Sequence, residues 1–158
     1  MTFCSTEKLD YSNNNELSFL KSIQNIKSRL SKGIRANCSN YGLNASHFNI
    51  ILQLVRIEYC QGKKAVSQVV LADLLDIEPI SLSKSIEKME QQEMVIRTPH
   101  PYDKRSKLVG LNYESEVVKN TIQHIESIVF EVTSDILKPL SDDEKKLLID
   151  LLQKLVIF

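Results

Sequence analysis

Tryptophan is absent from this sequence, and glycine, proline and cysteine are scarce, with four, four and three residues in 158. So few obligatory chain breakers, together with abundant Leu, Ile, Lys and Glu, favour helix. Aromatic residues make up only 6%, which argues against a stacking platform for RNA or single-stranded nucleic acid. The three cysteines, Cys4, Cys38 and Cys60, are too widely spaced for a disulfide framework or a metal motif, and reduced thiols are expected. No apolar run approaches the roughly 20 residues that span a bilayer. The N-terminal stretch has neither the basic start nor the apolar core of a signal peptide, so a cytoplasmic, membrane-free protein is expected. Net charge is missing as well, with 20 basic and 20 acidic residues. Coating nucleic acid through bulk charge is thereby disfavoured, whereas a site-specific binder needs only a local arrangement of charge.

Catalytic signals are missing too. There is no Gly-rich phosphate loop, nucleophile elbow or pair of catalytic carboxylates. His47, His100 and His124 are far apart and form no ligand cluster. Neither an enzyme nor a cofactor or metal site is expected.

What is present is helical periodicity interrupted once. Residues 1–14 are polar and read as a flexible tail. Leu17, Leu20, Ile23, Ile26, Leu30 and Ile34 mark a first helix from Asn15 to about Asn37, broken by residues 39–42. A second helix runs from about Ser46 to Tyr59 with Phe48, Ile51, Leu52 and Val55 as its buried stripe, and residues 61–64 form a loop. Ser67 can cap a third helix, Gln68 to Leu75. After a turn, Pro79 suits the start of a fourth helix reaching about Gln92. Met94–Thr98 and Lys107–Leu111 are β-prone runs around a turn, and so a hairpin. Val118, Ile122, Ile125, Val129, Val132 and Ile136 form a long apolar seam on a further helix. Pro139 ends it, and Ser141 with Glu144 forms a capping box for a final helix rich in leucine pairs.

The fourth helix and the hairpin are the informative pair. Leu82, Ile86 and Met89 should face the core, with Ser81, Lys84, Ser85 and Lys88 on a stripe about a quarter-turn away and Glu87 and Glu90 elsewhere. The hairpin tip is cationic. Asp103 can pair with Arg105 and hold its guanidinium extended toward a narrow minor groove, while Lys104 and Lys107 meet phosphates. From Lys63 to Lys107 the basic and acidic residues nearly balance, eight to seven, so the pattern carries more weight than the charge. A groove-sized helix beside such a hairpin is the working end of a winged helix-turn-helix.

Asp103-Lys104-Arg105 followed by Ser106-Lys107 resembles the wing hallmark of the MarR family of transcriptional regulators. Ser67-Gln68-Val69-Val70-Leu71-Ala72 is similar to the family's entry into its third helix, and Ile77-Glu78-Pro79-Ile80-Ser81-Leu82 to the start of its recognition helix. Leu43–Phe48 and Leu140-Ser141-x-x-Glu144 also fit, so the likeness spans about residues 16–158. It implies a mostly α (α+β) winged helix-turn-helix fold, with residues 44–111 as the DNA-binding region and residues 15–43 and 112–158 as dimerisation helices. The implied function is a homodimeric, cytoplasmic repressor-type regulator on a pseudo-palindromic operator in double-stranded DNA. Ser67, Gln68, Ser81, Ser83, Lys84, Ser85, Lys88, Asp103, Lys104, Arg105 and Lys107 are the implied DNA contacts. A small acidic or phenolic effector is implied near Cys38, His47 and Ile51. Glu93 stands where the family usually has glycine, so the fourth helix is expected to end without the left-handed glycine cap. Two further readings stand beside this one: a winged-helix adaptor for protein partners, and a thiol-based redox sensor using Cys38. Cys60 is expected to pack.

Overall fold

The structure, a computed structural model, describes residues 15–103 and 106–155. Six helices and three short strands follow one another as α1 (Asn15–Asn40), α2 (Ala45–Gln61), β1 (Ala65–Ser67), α3 (Gln68–Leu75), α4 (Pro79–Gln91), β2 (Val95–Pro99), β3 (Lys107–Leu111), α5 (Glu116–Leu137) and α6 (Asp142–Leu155). This is the expected mostly helical winged-helix architecture. The described chain forms two compact units, Ile34–Val132 and the residues on either side of it.

Local chemistry sets the boundaries within Ile34–Val132. Asn44 caps α2, its Oδ1 accepting from the backbone N–H groups of Ser46 at 2.9 Å and His47 at 3.1 Å. Gly62, at φ +65°, closes α2 in the left-handed conformation that glycine adopts freely. Helix α2 therefore takes in Gln61, which the sequence places in a loop. Ser67 caps α3 as expected, Oγ accepting from Val70 N–H at 3.3 Å, and Asp76 at φ +53° turns the chain out of it. Pro79 opens α4. The far end of α4 has no glycine cap, and Glu93 itself adopts φ +56° and supplies the left-handed turn that glycine usually provides. Met94 N–H reaches back to Met89 O at 2.8 Å, closing the helix end. Asn112 secures this turn, donating through Nδ2 to Glu93 O at 2.7 Å.

The hairpin is not alone. Strand β1, unexpected from the sequence, pairs antiparallel with β3, so the sheet order is β1-β3-β2. Ala65 faces Gly110 and Ser67 faces Leu108 on one side of β3, while Val95 faces Leu111 and Pro99 faces Lys107 on the other. As the central strand, β3 buries Val109, Gly110 and Leu111 in succession. The backbone comes so close here that a Cβ on Gly110 would lie 2.6 Å from Lys64 O.

The main core joins α2 (Ile50, Ile51, Leu54, Ile57), α4 (Leu82, Ile86, Met89) and the sheet (Val95, Val109) with Leu71 and Val118. Helix α2 is thus buried through Ile50, Leu54 and Ile57 more than through the expected Leu52 and Val55, which are half-buried. Cys38, Phe48 and Ile128 form a second cluster. On α5 the buried positions are Val118, Thr121, Ile128 and Val132. Its packed face is therefore rotated from the expected seam, whose Ile122, Ile125 and Val129 are only half-buried. The Tyr113 hydroxyl donates to the Glu58 carboxylate. Burial first, and that carboxylate second, push its pKa up to about 12.

In the other unit, the capping box of α6 forms as read. Ser141 N–H donates to Glu144 Oε2 at 2.8 Å, and Glu144 N–H donates to Ser141 Oγ at 3.4 Å. Helix α6 buries none of its residues.

Candidate nucleic-acid interface

Helix α4 is held at a fixed rotation by Leu82, Ile86 and Met89, which are 1%, 0% and 0% exposed. At 100° per residue the opposite, outermost ridge is Ile80, Lys84, Glu87 and Gln91. All four are exposed. This differs from the serine–lysine stripe read from the sequence. Ser81 and Lys84 are exposed, but Ser83 and Ser85 are half-buried. Ser85 also spends its hydroxyl proton on Ser81 O at 3.1 Å. Lys88 is exposed as well, and it also borders a cavity with His47. Sequence reasoning missed Ile80, although the same 100° wheel places it almost opposite the buried stripe.

On the far flank of α4, Glu90 is bonded to Arg97 of β2 through both Nε, at 2.8 Å, and Nη2. The guanidinium holds the Glu90 carboxyl below its ordinary range, with Lys107 adding to the effect. The Glu90 carboxylate is therefore already matched by a cation. At the wing itself, His100 Nδ1 accepts the backbone N–H groups of Tyr102 at 3.2 Å and Asp103 at 3.1 Å. His100 N–H and Ser106 O close the turn at 3.1 Å. Asp103 and Lys107 are exposed. Lys104 and Arg105 lie outside the described residues.

Ser67 and Gln68 start α3 half-buried, and the Gln68 Nε2 is buried without a hydrogen-bond partner. This is a poor posture for a direct base contact.

The three residues assigned to an effector pocket do not share one. Cys38 and Ile51 are both 0% exposed and sit in separate core clusters. Their side chains are packing groups, and neither lines the cavity that His47 borders. That cavity, about 340 Å³, is formed by Gly42, Leu43, Asn44, His47, Lys88, Gln92, Met94, Val117 and Thr121. Desolvation first, then the charge of Lys88, lower the His47 pKa and favour its neutral ring. Burial pushes the Cys38 thiol up, away from the reactive thiolate. Cys60, expected to pack, is exposed at the end of α2.

Among the described residues no group of three or more His, Cys, Asp or Glu could hold a metal ion, and no helix is long and apolar enough to cross a membrane.

Residues 41–106 match the model of the MarR family. The fold is that of MarR from E. coli in its apo form, with a TM-score of 0.71 at 20% identity over 87% of this chain and 96% of that one. A MarR transcriptional regulator from Methanosarcina mazei Go1 gives 0.71 at 20% identity, over 87% and 92%. A cysteine-to-serine mutant of E. coli MarR in complex with operator DNA gives 0.68 at 20% identity, over 93% and 98%. The resemblance carried by the wing and helix patterns therefore holds: the winged-helix region matches the MarR family, and the chain shares the family's fold.

Proposed function

We propose that this MarR-family chain is a homodimeric regulator that reads a pseudo-palindromic operator in double-stranded DNA, each copy laying α4 in a major groove and its wing in the adjoining minor groove. The observation that carries this reading is the open ridge of α4, with Lys84 at its centre, beside a wing whose outgoing strand is tied to α4 by the Arg97–Glu90 pair. Ser81, Lys84, Asp103, Lys104, Arg105 and Lys107 are the proposed contacts. Ser83, Ser85 and Gln68 have a lesser share because of their burial.

Dimerisation is supported by apolar side chains that one copy leaves bare. Phe19 and Leu20 of α1 are 54% and 52% exposed, and Leu147 and Leu155 of α6 are 58% and 64% exposed. Such faces are stable in water when a partner covers them. In this reading a second copy does so, setting the two α4 helices about one DNA turn apart.

A small acidic or phenolic effector is proposed for the cavity of His47 and Lys88. An anion there would draw Lys88, a residue of the reading helix, away from phosphate. The thiol-sensor reading is disfavoured by the burial of Cys38. The adaptor reading predicts no salt-dependent DNA affinity.

Gel-shift titration against promoter fragments tests the proposal. Arg105→Ala should weaken binding by about 1–3 kcal/mol, and Lys107→Ala should lower the salt slope by about one. Equal binding by both variants and wild type defeats the wing assignment. A monomer at micromolar concentration defeats the dimer.

A further inference from the structure

We propose that Ile80 reads sequence directly, its side chain meeting the C5-methyl group of a thymine in the major groove with Lys84, one turn on, over a neighbouring guanine. This rests on the DNA-reading function proposed above. An exposed isoleucine is ordinary on its own. What distinguishes Ile80 is its location, in the first turn of α4 and at the head of the outermost ridge, 73% exposed. Recognition helices contact bases chiefly through their N-terminal residues. No side chain caps α4 there, since Glu78 makes no capping bond, so nothing on the helix itself covers Ile80.

The chemistry then selects the base. Along the major-groove edge, guanine, cytosine and adenine offer hydrogen-bonding groups and bare ring C–H, and thymine alone adds a methyl. An isoleucine against the other edges would strip polar atoms of water without replacing their bonds. Against the methyl it buries apolar surface on both sides. Its β-branched side chain has little rotamer freedom within a helix, so little is lost on ordering it. Lys84 lies one turn along the same ridge, about 6 Å away, which is one or two base steps. Guanine, with its O6 and N7 acceptors, is the base a lysine recognises.

Selection from a randomised duplex library with the full-length protein, followed by replacement of each selected thymine with deoxyuridine, tests this. The swap removes only the methyl. For wild type, one thymine per half-site, within two base pairs of a guanine, should be sensitive, and loss of its methyl should weaken binding about fourfold. Ile80→Ala, at an exposed position, should fold, keep its salt-dependent binding and respond equally to thymine and deoxyuridine. If wild type ignores every methyl, or Ile80→Ala remains as sensitive as wild type, the inference is overturned while DNA reading stands. If no duplex is enriched, the DNA-reading function falls and the inference with it, and a protein partner becomes the occupant of this ridge.

Discussion

Arg97 of β2 directs two guanidinium nitrogens onto a single carboxylate oxygen of Glu90 on α4. The pair ties the outgoing strand of the wing to the reading helix and lies partly shielded, with the Arg97 side chain only 16% exposed. Its two halves should behave differently toward DNA. With α4 on DNA as proposed, Arg97→Met frees a carboxylate on the flank of that helix and should weaken binding several-fold with a shallower salt dependence. Glu90→Gln leaves an unpaired cation and should steepen the salt slope by up to about one. Affinities measured across a series of salt concentrations separate the two, and identical slopes would mean that the pair lies away from the phosphates.

Glu93 holds a left-handed backbone conformation that costs an L-residue about 1–2 kcal/mol. The flanking bonds, from Asn112 Nδ2 to the Glu93 carbonyl and from Met94 N–H to Met89 O, use no side-chain atom of residue 93. Glu93→Gly should therefore stabilise the fold by about 1 kcal/mol, raising the melting temperature by about 2–4 °C. Thermal unfolding followed by circular dichroism decides it, and a lower melting point would show that the turn is unstrained.

Gly110 faces the opposite constraint. A methyl placed there meets the carbonyl of Lys64, and that obstacle is backbone. Gly110→Ala should push β1 from β3 and cost about 1–3 kcal/mol, measurable as a lower urea midpoint. An unchanged midpoint would mean that β1 adds nothing to the stability of the sheet.

His47 gives the fold an acid sensitivity. Burial, and secondarily Lys88, hold its folded pKa below the ordinary 6.5. As the pH falls, the unfolded chain takes up this proton before the folded chain does, so the unfolded state is favoured. The stability associated with the neutral ring is complete above the ordinary value and is lost between pH 6.5 and the depressed folded pKa. Urea titrations at several pH values should show wild type weakening through this window and His47→Gln weakening less. Parallel curves would contradict the assignment.

Much of this was legible in the sequence because it is local. The 82/86/89 stripe, the Ser67 and Ser141 caps and Pro79 at the head of α4 each follow from residues within one or two turns of one another. Strand β1 was not legible, because three residues cannot display an alternation and its partner lies some forty positions further on. The outward ridge of α4 was obscured by chemical habit: serines and lysines suggest contact, whereas packing decides which face is open. On α5, an apolar pattern cannot reveal Thr121, which is polar and yet buried, its hydroxyl donating to Val117 O at 2.7 Å. The pairing of Asp103 with Arg105 remains a reading of the sequence, since Arg105 lies outside the described residues.

Cys38 and Cys60 differ in one further respect. One thiol is sealed in a cluster with Phe48 and Ile128, and the other is open to solvent. A thiol reagent can alkylate Cys38 only during moments when the junction of α1, α2 and α5 comes apart, whereas Cys60 records the reagent's intrinsic speed. The ratio of the two labelling rates is therefore a built-in gauge of how often that junction breathes.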